Sequence, residues 1–321
     1  SFENIGTVSA LKQHSLEFEK RIETVTDGVH VAIGFGLANS ILIEGDDGVI
    51  IVDTLESIET AMEVRRAFAK ITPKPIRAVI FTHNHADHVF GASVFADHSN
   101  IPVYAHETTG YYINRILSVL NPVINQRSMR MFGNFLDEKG LVNDGIGARL
   151  NINEESTIGV VRPNRTYTDE LSEVISGVRV KLIHMPGETD DQTCVWLPHK
   201  KVLIAADNIY KTFPNLYTIR GTRYRDVMQW AESLERMRAL GAEHLVPCHT
   251  GPVSGGEKIR QLLTDYRDAI AYVHDQTIRG MNMGLTPDEL VQTVKLPPHL
   301  AESPYLQEFY GTVEWSVRSI F

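Results

Sequence analysis

The chain has 321 residues, 43% of them hydrophobic and 22% charged, which is an ordinary composition for a globular enzyme. Its formal net charge of −9 argues against nonspecific binding to nucleic acid, which requires a basic surface, although a bound metal ion would still admit an anionic small molecule. No apolar run approaches the roughly 18 residues of a membrane span, and two cysteines, Cys194 and Cys248, are too few to indicate a disulfide framework.

The first part of the chain alternates apolar runs with amphipathic segments, which indicates a layered α/β or αββα architecture. Residues 1–25 are predicted to be helical, and the turn Asp46-Asp47-Gly48 predicts a β-hairpin. Helices are also predicted at Ile58–Ile71 and Asp87–Phe95. Buried strands are predicted at Val29–Phe35, Ser40–Glu44, Val49–Val52, Pro75–Phe81 and Ile101–Ala105.

This pattern stops between about residue 108 and residue 164. The segment is rich in Asn, Arg, Met and Gly, and long excursions within a compact domain are usually functional or disordered, so we predict an insertion or lid. Five of its apolar side chains either line a slot or pack in the core: Tyr111, Tyr112, Ile113, Ile116 and Leu117.

Regular order returns in the second half of the chain. Helices are predicted at Tyr224–Ala239, at 257–281 and in a third piece that has Pro287 in its first turn. Strands are predicted at Val178–His184, Thr193–Leu197, Val202–Ala206 and His244–Pro247.

A cluster of ligand-type residues follows the predicted strand at Pro75–Phe81. The pattern His83-x-His85-x-Asp87-His88 places three imidazoles and a carboxylate within six residues. A turn between a buried strand and a helix lets these side chains converge, and imidazole and carboxylate are the ligands that zinc accepts in catalytic sites.

Three further candidate ligands each follow a predicted strand by a few residues. They are Glu188 in Pro186-Gly187-Glu188, Asp207 in Ala205-Ala206-Asp207, and His249 in Pro247-Cys248-His249. Loops at strand ends, held by a rigid sheet, are the expected place to assemble such a site. His184 either supports these ligands or is an ordinary structural residue.

These residues resemble the metallo-β-lactamase superfamily, whose signature is His83-x-His85-x-Asp87-His88. The superfamily usually has a histidine after the Pro-Gly pair, and Glu188 in its place resembles the class III, zinc-dependent alkylsulfatase branch. The resemblance covers residues 27–320. Other segments that carry it are Met131–Asn134 with Val142–Gly147, Pro214–Gly221 running on to Arg225-Asp226, and Tyr310–Val313.

The resemblance implies a metallo-β-lactamase αββα sandwich with a helical insertion and a C-terminal helical extension. The catalytic domain is expected over 1–255, with the insertion at about 108–164. The extension over 256–321 is expected to form part of a dimerisation region. Members of the branch continue into a sterol-carrier-like domain, which we expect this chain to lack.

The resemblance also implies a dinuclear zinc centre, although manganese and iron accept similar ligands. The branch usually has a glutamate at the position of Asp207, so a shorter carboxylate would bridge the metals here. Asp87 and Asp207 are the expected catalytic carboxylates. One metal would take His83, His85 and Glu188 and the other Asp87, His88 and His249, with Asp207 between them.

The implied reaction is the hydrolysis of alkyl sulfate esters to an alcohol and inorganic sulfate, with a hydroxide held by the two metals as nucleophile. Sulfate oxygens require positive charge and hydrogen-bond donors, and an arginine fork supplies both. Arg220, with Asn215 and Tyr217, is therefore the predicted substrate clamp. The alternatives are a surface salt bridge for Arg220 and simple packing for Tyr217.

Two other functions stay open. The same metal core would serve a hydrolase of phosphoesters, lactones or β-lactams, or the chain would be an inactive metal-binding module that acts through partners. The resemblance implies a small-molecule substrate and a homodimer, and favours a periplasmic or secreted location. The chain begins at Ser1 without a signal-peptide pattern.

Overall fold

Two β-sheets pack face to face in the computed structural model, which describes residues 5–96, 100–137, 139–217 and 220–321. The first sheet has seven strands whose spatial order follows the chain. Neighbouring strands are antiparallel from the first to the fourth and parallel from the fourth to the seventh. The strands are β1 (Arg21–Thr26), β2 (Val29–Ile33), β3 (Ser40–Glu44), β4 (Val49–Val52), β5 (Ile76–Ile80), β6 (Val103–His106) and β7 (Arg165–Tyr167).

The second sheet has six strands, which run in the order β13-β12-β11-β10-β9-β8. All neighbouring pairs are antiparallel except β11 and β12, which are parallel. The strands are β8 (Glu170–Ile175), β9 (Val178–His184), β10 (Thr193–Leu197), β11 (Val202–Ala206), β12 (His244–Pro247) and β13 (Val253–Ser254).

The helices cover the outer faces of the two sheets, and no helix within the described residues is long and apolar enough to cross a membrane. Short 3₁₀ turns also occur at Ser15–Phe18 and Ala92–Val94. The α-helices are α1 (Ile5–His14), α2 (Ile58–Phe68), α3 (Ala86–Val89), α4 (Thr109–Leu117), α5 (Asn121–Met131), α6 (Val227–Ala239), α7 (Gly256–Asn282), α8 (Pro287–Thr293), α9 (Pro298–Ala301) and α10 (Val313–Ile320).

Three apolar cores separate these layers. One lies between the sheets and takes β-branched residues from both, including Ile50 and Ile204. A second lies under α2 on the outer face of the first sheet, and a third lies under α6 and α7 on the outer face of the second. The αββα sandwich with C-terminal helices is thus confirmed, and it places the carboxyl ends of β5, β9, β11 and β12 on one edge.

One local prediction was wrong, and two strands were not predicted. The predicted helix over residues 1–25, of which 1–4 lie outside the described residues, ends at His14, and Arg21–Thr26 forms a strand. Its β-branched residues favour an extended backbone, and β1 pairs antiparallel with β2. Strands β7 and β8 were not predicted. Both strands are mostly exposed, so their sequences lack an apolar repeat. They are extended because β7 pairs with β6 and β8 pairs with β9.

The segment 108–164 contains two helices, α4 and α5, followed by irregular chain. Helix α4 begins directly after β6, and Asn164 returns the chain to the sheet by donating its backbone N–H to Val103 O. The insertion therefore leaves and re-enters the first sheet at neighbouring strands, which holds it beside the edge where the predicted ligands converge.

Candidate metal centre

All seven predicted metal ligands come together at one edge of the sandwich. The loop after β5 carries His83 and His85, and the short helix α3 that follows it carries Asp87 and His88. The second sheet supplies the other three from the loops after β9, β11 and β12, namely Glu188, Asp207 and His249. Six of the seven are buried, and Asp87 is nearly so, with 13% of its side chain exposed.

One carboxylate oxygen lies at the middle of the cluster. Asp207 Oδ2 is 3.3 Å from the Nε2 atoms of both His83 and His88 and 3.2 Å from His249 Nε2. Asp87 Oδ2 lies 3.3 Å from His88 Nε2 and 3.4 Å from His249 Nε2. Two ligands that are each about 2.0–2.1 Å from one tetrahedral ion lie about 3.3–3.4 Å apart, so these separations suit shared metals.

Five atoms of the cluster have no hydrogen-bond partner among the described residues, although they are buried. Such orphaned atoms are costly unless a cation satisfies them. The atoms are Nε2 of His83, His88 and His249, Oε2 of Glu188 and Oδ1 of Asp207. The donor set fits divalent metal ions.

The ligand atoms fall into overlapping groups. Three groups have all their ligand atoms within 4.8 Å of one another: His83–His88–Asp207, Asp87–His88–His249 and His85–Glu188–Asp207. Asp207 belongs to two of these groups, so its short side chain reaches both halves of the cluster. The division of the ligands between two metals stays a prediction.

The outer nitrogens of three imidazoles are fixed by acceptors. His88 Nδ1 lies 2.6 Å from Asp53 Oδ2, and His249 Nδ1 donates to Leu37 O at 2.9 Å. The Thr82 hydroxyl donates to Asp53 at 2.6 Å and so accepts from His83 Nδ1 at 3.0 Å. With the proton on Nδ1, each ring presents its Nε2 lone pair to the centre, as metal-binding histidines do.

The carboxylates make the cluster attractive to any cation. Burial alone would lower the pKa of His88, but Asp207, Asp87 and Asp53 together raise it well above its ordinary value. Against the same effect of burial, Asp207 and Asp87 raise the pKa of His249 to about 10. The negative charge that holds a proton on these rings also favours the binding of a divalent metal ion. Protons and metal ions therefore compete for the same ring nitrogens.

A buried glutamate supports the loop that orients His249. Glu56 accepts the backbone N–H of Leu37 at 3.1 Å and that of Asn151, from the insertion, at 2.9 Å. Burial, with the negative charge of Asp87 nearby, raises the pKa of Glu56 to about 7. Glu56 thus connects the insertion to Leu37, whose carbonyl oxygen accepts from His249.

Glu188 is held by a close approach of two loops. A Cβ at Gly187 would lie 2.0 Å from Asn208 Oδ1, so only glycine allows the contact. Asn208 Oδ1 accepts the backbone N–H of Glu188 at 3.3 Å, and Asn208 Nδ2 donates to Met185 O at 2.9 Å. Because Asn208 follows Asp207, these bonds fix the spacing between the two carboxylates.

The backbone at three ligand loops has left-handed conformation at residues other than glycine. The φ angles are 59° at Asp53, 52° at Ala206 and 68° at Thr250. Such residues are strained, and they persist where the surrounding structure enforces them, most often at functional sites. Here they lie beside or within the ligand loops, where the chain turns sharply out of a strand.

A cavity that opens to solvent leads to the cluster. His85 and Glu188 lie on its wall, and the apolar side chains Ile116, Leu120 and Ile124 line it from the insertion. At the rim, Arg223 Nη1 lies 2.6 Å from Asp190 Oδ2 and also donates to the Tyr112 hydroxyl.

Five apolar side chains of the insertion were predicted either to line a slot or to pack in the core. Tyr112 and Ile116 line the cavity. Ile113 is buried in the core, Leu117 packs against that core, and Tyr111 is 61% exposed.

The predicted substrate residues lie near this cavity in different ways. Arg220 Nη2 is 3.3 Å from His85 Nε2, and its guanidinium lies over the Phe132 ring at 5.8 Å. Asn215 is buried with its Oδ1 unpartnered. The Tyr217 hydroxyl donates to Tyr310 O at 3.3 Å, and its ring faces Trp315 rather than the cavity. Thr218 and Ile219, between them, lie outside the described residues.

Two supporting residues were not predicted. Asp53 follows β4, beside β5 in the sheet, so the strand-end argument applied to Asp207 would have found it. Arg225 forms an ion pair with Glu188, and only the tertiary structure brings these loops together.

His184 donates to or accepts from no ligand of the cluster; its Nε2 lies 2.6 Å from Asp190 O, and its ring stacks on His106.

Comparison with known proteins gives consistent matches. The metallo-β-lactamase superfamily matches residues 33–249, and the alkyl sulfatase dimerisation family matches residues 286–321. The chain is 43% identical to a linear primary-alkylsulfatase of Pseudomonas sp. (strain ATCC 19151), covering 87% of this chain and 54% of that protein. It is 30% identical to the alkyl/aryl-sulfatase BDS1 of Saccharomyces cerevisiae, covering 99% of this chain and 51% of that protein.

A solved structure agrees over the same extent. The stereoselective inverting sec-alkylsulfatase Pisa1 from Pseudomonas sp. superposes with a TM-score of 0.90 at 28% identity, covering 97% of this chain and 51% of that one. The chain therefore spans about half the length of the relatives it matches.

Proposed function

Because this chain belongs to the metallo-β-lactamase superfamily, we propose that it is a zinc-dependent hydrolase that converts alkyl sulfate esters to an alcohol and inorganic sulfate. The similarity to alkylsulfatases over nearly its whole length supports this reaction. The observation that carries the proposal is the placement of Arg220, whose guanidinium lies 3.3 Å from His85 at the edge of the metal cluster.

The seven ligand-type residues would hold two zinc ions. His83, His85 and Glu188 would hold one, Asp87, His88 and His249 the other, and Asp207 would lie between them. When bound, such a pair of ions supplies Lewis acidity and a nucleophilic water near neutral pH. The protein's part is to keep the Nε2 lone pairs of three histidines directed inward, which Asp53 does for His88, Thr82 for His83 and Leu37 O for His249.

Arg220 and Asn215 would bind the sulfate group. A planar guanidinium presents several N–H donors to the oxygens of an anion, and the side-chain NH₂ group of the buried Asn215 would donate alongside it. Packing of Arg220 over Phe132 and against Met131 limits its rotation. The clamp would thus be ordered before substrate arrives, which lowers the entropic cost of binding.

The alkyl chain would lie in the cavity. Ile116, Leu120 and Ile124 supply apolar surface there, and burial of each methylene group contributes about 0.8 kcal/mol. The ion pair of Arg223 with Asp190 closes one side of the rim. This arrangement separates a polar end beside the metals from an apolar end under the insertion.

We also propose that the protein forms a homodimer through the segment 286–321, since that segment matches the dimerisation family. It includes α8, α9 and α10, and Trp315 and Phe321 remain 47% and 51% exposed. Sedimentation equilibrium should give twice the chain mass. A monomer at micromolar concentration and above would contradict this proposal.

The direct test is release of inorganic sulfate from a series of linear alkyl sulfates. Zinc-loaded protein should release sulfate, chelation should abolish the release, and added Zn²⁺ should restore it. Phosphate monoesters, lactones and a chromogenic β-lactam serve as the comparison panel. Full metal occupancy without sulfate release from any chain length would refute the proposal, and turnover of a panel compound would identify the alternative.

A further inference from the structure

A buried arginine contacts one of the predicted metal ligands. Arg225 Nη1 lies 2.9 Å from Glu188 Oε1, and each of the two side chains is only 2% exposed. Removing both charges from water is costly, and the cost is recovered only when geometry and further hydrogen bonds are favourable. Such a pair at the wall of a metal cluster therefore requires an explanation.

The two oxygens of Glu188 have different surroundings. Oε1 is occupied by Arg225, whereas Oε2 is buried without a hydrogen-bond partner among the described residues. Glu188 belongs to a group of ligand atoms with His85 and Asp207 that lie within 4.8 Å of one another. The arginine thus leaves one carboxylate oxygen to serve as a single-atom ligand.

Arg225 also joins Glu188 to the sulfate-binding segment. The same Nη1 donates to the backbone O of Asn215, and the Asn215 N–H donates to the Tyr210 hydroxyl. Within the described residues, Arg225 is the only arginine or lysine that forms an ion pair with a carboxylate of the cluster, since Asp87 and Asp207 pair with histidines.

We infer that Arg225 is a positioning residue, which occupies Glu188 Oε1 so that Oε2 binds a single metal, and which offsets the negative charge of that ligand. This role rests on the proposed function only through the metal ligands and does not depend on the substrate. A metal ligand whose orientation is fixed by an outer partner typically loses ten- to hundredfold in metal affinity when that partner is removed.

The test measures Zn²⁺ binding without substrate, by competition with a chromogenic chelator and by elemental analysis. Arg225→Gln keeps polar donors and removes the charge, so we expect one of the two zinc ions to bind about ten- to hundredfold more weakly. Arg225→Lys restores the charge and should regain part of that affinity. Arg77→Met is the control, because it breaks an exposed ion pair with Asp47 and should bind both ions as the unaltered protein does.

A double-mutant cycle separates positioning from general destabilisation. In a Glu188→Gln background the carboxylate is already replaced by a neutral amide, so adding Arg225→Gln should cost much less affinity than it costs alone. Equal costs in both backgrounds, or unaltered two-zinc affinity in a folded Arg225→Gln protein, would overturn the inference.

The inference and the proposed function can fail separately. Two-zinc binding with the expected loss on Arg225→Gln, but no sulfate release, would refute only the proposed reaction. Sulfate release with unchanged zinc affinity in Arg225→Gln would refute only the role of Arg225. A chain that binds no zinc would overturn both.

Discussion

The carboxylate of Asp53 offers the sharpest test of how the centre is built. It is fully buried and accepts three hydrogen bonds: from His88 Nδ1 at 2.6 Å, from the Thr82 N–H at 2.8 Å and from the Thr82 hydroxyl at 2.6 Å. Asp53→Asn keeps the size and replaces one acceptor oxygen by an NH₂ group. Asparagine also tolerates the left-handed backbone at this position, so little backbone strain is added.

If the amide oxygen of the asparagine at position 53 keeps the hydrogen bond from the Thr82 N–H, its NH₂ group faces His88 Nδ1. Two donors then oppose each other, and His88 relieves the conflict by moving its proton to Nε2, which blocks the metal-binding lone pair. Loss of a hydrogen bond to a charged group costs about 1.5–3 kcal/mol. At about 1.4 kcal/mol per factor of ten, this predicts a loss of roughly ten- to hundredfold in zinc affinity.

Chelator competition measures the affinity, and circular dichroism checks that the variant is folded. Asp47→Asn is the matched control, because Asp47 is 67% exposed and forms a surface ion pair with Arg77. We expect the control to bind zinc like the unaltered protein. A folded Asp53→Asn variant whose zinc affinity stays within about threefold of that control would refute the proposed orientation of His88.

Three further predictions follow from the same structure. Removal of the metals should lower the melting temperature, and Zn²⁺ should restore it, with a rise that follows the logarithm of its free concentration above Kd, because a ligand that binds only the folded state stabilises it; an unchanged melting temperature would contradict the metal site. Ile124→Phe should fill part of the cavity and lower kcat/KM for long alkyl sulfates relative to short ones, by about fourfold for each methylene excluded; an unchanged chain-length profile would place the alkyl chain elsewhere. Burial raises the pKa of Asp144 to about 7, so its favourable protonated form is lost as pH rises through that value. Thermal melts of Asp144→Asn should therefore show a stability advantage over the unaltered protein at pH 8.5 that shrinks as the pH falls below about 7 and disappears only near the ordinary aspartate pKa of about 4, and a constant difference would contradict this assignment.

The fold class and the convergence of the ligand-type side chains could be predicted because both depend on local sequence. The ligand-type residues from His83 to His88 follow a buried strand, and Asp207 and His249 follow strands of the same kind. Strands β1, β7 and β8 were missed because partner strands, rather than an apolar repeat, make them extended. Arg225 was not assigned a role, since its pairing with Glu188 depends on two loops that only the tertiary structure brings together.

The division of the ligands between the two sheets has a consequence for how the protein matures. His83 to His88 emerge with the first sheet, whereas Asp207 and His249 belong to strands made much later in synthesis. A growing chain therefore displays an incomplete, weakly chelating half-site until β12 joins β11. Tight capture of a metal would then be a late step of biogenesis, and the rate of metal uptake in a refolding experiment would report the docking of the second sheet on the first.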